Sequence, residues 1–443
     1  MVRRVSALLI AILLPLALFG GTVGKIIGVA IDKQSGKPLM GVNVVIKGTS
    51  MGAASDIDGR FYIFNIPPGI YEVEATYIGY ARTTIQNIRI SVDLTTDVNL
   101  SLERENVVGQ EVIVVAGRPV IEKSSTNERR IVRSEDIENL PVRGATDIAA
   151  LQTGVVKVGN TLHVRGGRTE EVVYYVDGVY QVNEYNRITR PEAGEVSSSA
   201  LEEVSYQAGG FDAEYGSATA GIINMSTKIG SEKYQLGGEF ITDGFLSTKK
   251  PILGTYSYGY NLYNLSGGGP VPGLGKYLRF FGSLEIHNEL DRRTSAGAHP
   301  VGTWTGDTDG DGLKDYNEYT WKSAYGPFPD NSSKKIMGAG NVMLDLSAIK
   351  VKFGGNFTTE TYREYDLDYA VFCPENVSRW ETFTGAAYTR LTWTINPKTL
   401  FNIQGSYFID KYENGNNKYW DDLLKYGVRE LSLDKYEEIF GGT

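Results

Sequence analysis

Apolar and polar residues alternate along much of the chain, with turn residues at short intervals. Residues 25–31 read as a strand, 32–37 as a turn, and 42–46 alternate again. Ser55-Asp56-Ile57-Asp58-Gly59 leads into a strand over 60–65, and Pro67-Pro68-Gly69 makes the next turn. Tyr71, Val73, Ala75 and Tyr77 then share one face, while Glu72, Glu74 and Thr76 share the other. Period-2 patterning broken by turns about every 8–12 residues predicts an all-β sandwich over residues 22–103.

The pattern changes after this unit. Residues 111–116 form a β-branched run flanked by Gly109 and by Gly117-Arg118-Pro119. Such a run is poorly helical; it suits either an ordinary strand of the next domain or a strand added to a partner's sheet edge. Short helices are expected at 134–140, ended by Pro141, and at 146–152. Strands are expected at 172–176, running into the hairpin signal Asp177-Gly178, and at 204–208 and 221–227. Ser199 and Glu202 have capping-box spacing, which predicts a further short helix. Residues 119–232 thus read as a small α+β domain.

From about Tyr234 the alternating runs lengthen. Leu278, Phe280, Gly282, Leu284 and Ile286 oppose Tyr277, Arg279, Phe281, Ser283 and Glu285. Val342, Leu344 and Leu346 oppose Met343 and Asp345; Leu391, Trp393 and Ile395 oppose Arg390, Thr392 and Thr394. An apolar, aromatic face backed by a polar one is what a strand between lipid and a wet lumen needs, although a soluble β-sandwich has the same period.

The N-terminus bears on location. Arg3-Arg4 precedes an apolar run from Val5 to Phe19 that contains Pro15, followed by Gly20-Gly21. This arrangement predicts a secretory signal peptide over 1–21. No later segment offers 18 consecutive apolar residues, so any passage through a membrane has to use β-strands.

Composition excludes several classes of function. A formal net charge of −9 disfavours binding to phosphate backbones, and no nucleic-acid partner is expected. One cysteine, Cys373, allows no intrachain disulfide. Three histidines, with no His-Glu-x-x-His among them, leave no zinc peptidase site. The sequence 273–277, Gly-Leu-Gly-Lys-Tyr, fails as a phosphate-binding loop because Pro270 holds the first glycine position and Tyr277 replaces the metal-binding hydroxyl. No catalytic residue is expected, and the chain reads as a non-enzyme.

Two families are resembled. The set Gly36-Lys37-Pro38-Leu39, Gly41-Val42-Asn43-Val44, Asp58-Gly59-Arg60-Phe61, Pro68-Gly69-Ile70-Tyr71 and Ile78-Gly79-Tyr80 resembles the carboxypeptidase regulatory-like family over about 80 residues. The ordered string Leu140-Pro141, Val164-Arg165-Gly166-Gly167, Tyr175-Val176-Asp177-Gly178-Val179, Leu201-Glu202-Glu203-Val204, Tyr215-Gly216 and Ala220-Gly221-Ile222-Ile223-Asn224 is similar to the plug domain of TonB-dependent outer-membrane receptors. Ser266-Gly267-Gly268-Gly269-Pro270-Val271 resembles the early barrel turn that follows such plugs.

The resemblance implies a mainly β protein: a β-sandwich, an α+β plug, then antiparallel transmembrane β-barrel strands over 233–443, with a long loop at 290–335. It favours the barrel over the soluble sandwich for the last part. It implies that Glu111, Val112, Ile113, Val114 and Val115, in a linker at 104–118, occupy the place of the TonB box. It also implies energy-coupled uptake of a bulky nutrient (a siderophore, glycan or peptide) at the outer membrane. The partners implied are a TonB energy-transducing protein, outer-membrane lipid, the barrel-assembly machinery and an unidentified nutrient ligand. The alternative is a non-transporting surface or periplasmic docking module. A plugged barrel of this kind needs 22 strands. At roughly 20 residues per strand with its connection, the stretch after the plug supplies about seven to ten. A truncated receptor is therefore expected.

One loop carries candidate metal chemistry. Asp307, Asp309, Asp311, Leu313, Asp315 and Glu318, with Gly312 at the sharp turn, match the twelve-residue calcium-loop template. Calcium is the cofactor expected there.

Overall fold

The computed structural model describes residues 23–49, 51–91, 94–105, 111–115, 129–158, 161–181, 195–211, 215, 218–275, 277–292, 298–306, 319–328, 331–346, 348–363, 377–396 and 399–416. The expected signal peptide and the calcium-loop template at 307–318 lie outside these residues.

The first unit is a two-sheet sandwich. Its strands are β1 (Gly24–Asp32), β2 (Asn43–Ile46), β3 (Gly52–Ala54), β4 (Arg60–Ile66), β5 (Gly69–Thr76), β6 (Arg82–Ile90), β7 (Thr95–Asp97), β8 (Leu100–Leu102) and β9 (Glu111–Val115). One sheet centres on β1, flanked by β4 and by β7 with β8; the other runs β3-β2-β5-β6-β9. The alternation seen in the sequence becomes one buried face per strand. Ile26 and Ala30 of β1, Val44 and Ile46 of β2, and Val73 and Ala75 of β5 meet Phe61 and Ile63 in a shared core. The Tyr80 hydroxyl donates to Asp32 Oδ2 at 2.6 Å and clasps the end of β1 to the far edge of the unit.

Here the linker expected at 104–118 departs from expectation. Residues Glu111–Val115 return to the sandwich and pair in parallel with β6, with Arg82 opposite Glu111 and Gln86 opposite Val115. The β-branched run finds unpaired backbone donors and acceptors on β6, which give a free strand somewhere to bond.

The middle unit contains β10 (Arg129–Arg133), α1 (Ser134–Ile137), α2 (Ala145–Ala150), the hairpin β11 (Val155–Val158) and β12 (Thr161–Val164), β13 (Val172–Val176), β14 (Val179–Tyr180), β15 (Leu201–Gln207) and β16 (Gly221–Thr227). Its sheet runs β10-β15-β16-β13-β14, with β13 and β16 parallel. Asp177 and Gly178 turn β13 into β14 with φ of 49° and 77°, the paired positive angles of a type I′ hairpin. Two expectations change. The first helix stops at Ile137, three residues short, and has no side-chain cap. The capping-box pair opens no α-helix: Ser198–Ala200 make one 3-10 turn and Glu202 already lies in β15. Val204 and Tyr206 of that strand are buried in the plug-like core, so sheet packing overrides the local signal.

The last unit holds β17 (Gln235–Thr242), β18 (Asn261–Pro270), β19 (Leu278–Glu289), β20 (Ala298–Trp304), β21 (Tyr319–Tyr325), β22 (Ser333–Leu346), β23 (Ile349–Arg363), β24 (Ser378–Asn396) and β25 (Thr399–Asn416). Seven of them form one antiparallel sheet in the order β17-β18-β19-β22-β23-β24-β25. Among the described residues it does not close into a ring. The loop expected at 290–335 contains a separate hairpin, β20 with β21. The early turn expected at 266–271 is instead the end of β18, and the chain reverses over 271–277.

The faces of this sheet are inverted relative to a soluble protein. Phe280, Leu284, Val342, Phe353, Phe357, Trp393, Phe401, Ile403 and Tyr407 are exposed on the side facing away from the middle unit. Arg279, Glu285, Asn341, Asn356, Thr358, Thr384, Arg390 and Thr392 are buried on the side toward it. Strand ends alternate as well: the spacings between β17 and β18, β19 and β22, and β23 and β24 are long, and those between β18 and β19, β22 and β23, and β24 and β25 are short. Both features are those of outer-membrane barrel strands, apolar outward with short turns on one side and long loops on the other.

Candidate functional site at the plug and wall boundary

The sequence marked Asp177 only as a turn residue. In the folded chain it is a junction. Type I′ geometry projects the β13–β14 turn toward the inner wall, and Asp177 is 3% exposed there. Its Oδ1 accepts from the Thr227 amide at 3.1 Å, and its Oδ2 accepts from the Thr227 hydroxyl at 2.6 Å. From the wall, the Tyr388 hydroxyl donates to Oδ2 at 2.8 Å and the Lys352 ammonium lies 3.4 Å from Oδ1. Arg390 and Gln404 donate to the Asp177 carbonyl at 3.2 and 3.4 Å. Burial disfavours charge on this carboxyl, but Lys352, the Thr227 and Tyr388 hydroxyls and the Thr227 amide outweigh it. They hold the group below its ordinary value, so Asp177 is an anion at neutral pH.

Other polar ties run along the same boundary. Asn341 donates to the Thr227 hydroxyl at 3.2 Å and to the Lys228 carbonyl at 2.8 Å. Gln181 donates to Asn356 at 3.2 Å. Nearer the long connections, Ser197 donates to Glu285 at 2.6 Å, and Asn264 reaches both. Lys335 pairs with Glu195 and lies 4.0 Å from Glu360. Among the described residues, the middle unit is fastened to the wall by hydrogen bonds and charge pairs and by two apolar contacts: Phe281 and Ala339 of the wall join its core, and Val179 packs with Ala386, Tyr388 and Phe408. Such a boundary is stable while fully paired and separates without exposing a large apolar surface.

The sandwich meets the short-turn end of the sheet. Asn402, near the start of β25, donates to Asn65 at 3.3 Å. Arg89 pairs with Glu135 of α1 at 2.7 Å, and Arg133 donates to Ser91 at 3.3 Å. Close by, loss of solvent pushes the half-buried Glu202 up to about 7, with Lys228 opposing the shift.

Of the residues singled out beforehand, Glu111–Val115 lie on the sandwich edge, with Ile113 57% and Val114 44% exposed. Asp307, Asp309, Asp311, Leu313, Asp315 and Glu318 fall between β20 and β21, outside the described residues. No group of three or more metal-binding side chains occurs among the described residues. The residues the sequence did not reveal are Lys352, Tyr388, Arg390 and Gln404. Their only signal was polarity on the inward side of strongly alternating strands.

Residues 26–114 match the CarboxypepD_reg-like domain, and residues 122–222 match the TonB-dependent Receptor Plug Domain. The chain is 30% identical over 276 residues to the TonB-dependent transporter Oar of Myxococcus xanthus, covering 56% of this chain and 25% of Oar. It is 24% identical over 215 residues to the TonB-dependent receptor SusC of Bacteroides thetaiotaomicron, covering 45% of this chain and 20% of SusC. Among solved structures, the alcaligin outer membrane receptor FauA of Bordetella pertussis aligns at 11% identity with a TM-score of 0.45, covering 66% of this chain and 41% of FauA. The chain spans about a quarter or less of the curated relatives' own length. The two matches come in that order, and the barrel-type strands after them do not close among the described residues. The relatives are named as transporters and receptors rather than enzymes.

Proposed function

We propose that this chain is the front part of a TonB-dependent outer-membrane receptor for energy-coupled uptake of a bulky nutrient. The observation that carries the reading is the inverted sheet. Its outward face is apolar, and its inward face is hydrogen-bonded to the middle unit through Asp177, Lys352, Tyr388 and Arg390. A plug held by polar ties can be displaced by mechanical pull and can re-dock, which an apolar core of equal area would resist.

In this reading the long connections face outward, the short turns face the periplasm, and the sandwich hangs below the plug. The outward strand faces meet outer-membrane lipid, after export on the signal peptide at 1–21 and insertion by the barrel-assembly machinery. Glu111–Val115 is the segment a TonB protein engages: backbone pairing at the sandwich edge holds it, and a partner's sheet edge offers the same kind of pairing. The loop at 307–318 holds calcium through Asp307, Asp309, Asp311, the Leu313 carbonyl, Asp315 and Glu318. Calorimetry tests that part, with Asp309→Ala expected to abolish calcium uptake.

Cell fractionation tests the main reading. The protein should sediment with the outer membrane and migrate differently on gels before and after heating. Recovery in the soluble periplasm with no heat-dependent shift would refute it. Capture by the periplasmic domain of TonB should require residues 111–115.

A further inference from the structure

The outward face of the seven-stranded sheet is uncharged over most of its height and then changes abruptly. Along β24 every second residue points outward, and none of these from Ile395 to Phe383 is charged. The next two outward residues are Glu381 and Arg379. Strand register carries the same change to the neighbours. Phe383 lies opposite Lys411 of β25, and Glu381 lies opposite Glu413. Thr361 of β23 lies opposite both Glu381 and Lys334 of β22, and Arg363 lies opposite Arg379. Among the described outward positions of these strands, the charged ones are Lys334, Arg363, Arg379, Glu381, Lys411 and Glu413. All of them border the long spacings between strands.

The height of the change places these residues at lipid headgroups. The stretch from Ile395 to Phe383 rises about 40 Å along the strand at roughly 3.3 Å per residue. For a strand tilted near 40° that is about 30 Å across the membrane, the thickness of its hydrocarbon core. Charges just beyond it stand among headgroups, not acyl chains. Cations outnumber carboxylates there. Lys334 and Lys411 are exposed, and neither ammonium makes a hydrogen bond or ion pair among the described residues. Arg379 pairs with Glu381 on its own strand. Arg363 and Arg379 stand directly opposite each other on one face. Like charges so placed repel, and an oxyanion between them turns the repulsion into charge-assisted hydrogen bonds.

We propose that Lys334, Arg363, Arg379 and Lys411 form a docking surface for a membrane lipid whose headgroup carries more than one phosphate. This rests on the outer-membrane reading above and names the lipid met by the long-spacing end of the wall. In that reading this end lies at the cell surface, so the lipid belongs to the outer leaflet. A lipid fits because the cations continue the apolar face without a break. Acyl chains lie on the exposed Phe357, Phe383 and Tyr407 while the headgroup reaches the rim. Width calls for several phosphates. Lys334 and Lys411 are three strand spacings apart, about 14 Å, and one phosphate covers only part of that. A headgroup with two phosphates engages both ends of the row in one binding event, whereas two separate lipids are each ordered independently.

The test uses the full chain purified in detergent. Its probes are diphosphoryl lipid A, monophosphoryl lipid A, phosphatidylglycerol and phosphatidylcholine, titrated in the same micelles and followed by native mass spectrometry. Diphosphoryl lipid A should bind at least tenfold more tightly than the other three, with an advantage that shrinks as salt is raised. Lys334→Gln combined with Lys411→Gln should remove most of that advantage. Glu381→Gln combined with Glu413→Gln should increase it, and both variants should keep the heat-dependent migration of the parent. The proposal is overturned if phosphatidylglycerol matches diphosphoryl lipid A, or if the lysine variant binds like the parent. Should the lysine variant not fold, an unchanged affinity in the carboxylate variant overturns it instead. The outer-membrane reading fails separately, by loss of outer-membrane location and of the heat-dependent shift, whatever the lipid titrations give.

Discussion

The Asp177 carboxylate and the Lys352 ammonium lie 3.4 Å apart across the boundary between plug and wall, 175 residues apart in sequence. Both side chains are buried, at 4% and 16% exposure. Removing one partner from such a pair costs more than removing both, because a lone buried charge is left behind. Asp177→Asn is therefore expected to destabilise plug docking by about 3–5 kcal/mol, and Asp177→Asn with Lys352→Met by substantially less. Limited proteolysis of the plug in detergent measures this. Equal protease sensitivity of the single and double variants would count against the pairing.

Gly178 occupies the second position of the same turn at φ of 77°. A Cβ there is strained whatever the surroundings. Gly178→Ala should cost about 1–2 kcal/mol, and Gly178→Val more, read as a lowered unfolding temperature with residual secondary structure unchanged. An unchanged unfolding temperature for Gly178→Val would disprove the turn geometry.

Glu202 carries a pH dependence. Burial raises its carboxyl from 4.5 to about 7 despite Lys228. A carboxyl whose folded value lies above its unfolded value takes up a proton on folding. The resulting penalty is absent below about pH 4.5, grows between there and pH 7, and is complete above. Glu202→Gln should be close to neutral at pH 4 and stabilise by about 2–3 kcal/mol at pH 8. Thermal unfolding at the two pH values checks this, and an equal effect at both would contradict it.

The β9 strand offers a fourth test. It adds at the sheet edge with Ile113 and Val114 exposed, so it is held mainly by backbone pairing to β6. Val114→Pro constrains the backbone in the middle of that pairing. The β6 amides facing β9 should then exchange hydrogen at least tenfold faster, while Phe61 and Val73 in the core keep their protection. Loss of protection throughout the sandwich would show that β9 is integral to its core.

Much of the architecture was legible in the sequence. Short apolar runs located the strands at 172–176 and 221–227, and period-2 alternation told the apolar side of β19, β22 and β24 from the polar one. Side chains on a strand point alternately to its two faces, so the pattern is local. The Asp177-Gly178 turn was equally visible, because its positive φ angles demand those residue types. Signals that compete with packing were misleading. Ser199 and Glu202 have the spacing of a helix cap, yet the buried side of β15 needs Val204 and Tyr206 in a sheet.

Which residues touch across long sequence separations could not be read from spacing. That Asp177 meets Lys352, Tyr388 and Arg390, and that Lys334, Arg363, Arg379 and Lys411 gather at one rim, follows from the register of strands paired over tens of residues. The destination of Glu111–Val115 was likewise a tertiary matter, since a β-branched strand bonds wherever an edge with the right register stands open. The sequence determined the periodicity, the turns and the face of each strand, because these depend on neighbours along the chain. Only the folded sheet decided which polar faces meet, because that depends on neighbours brought together by pairing.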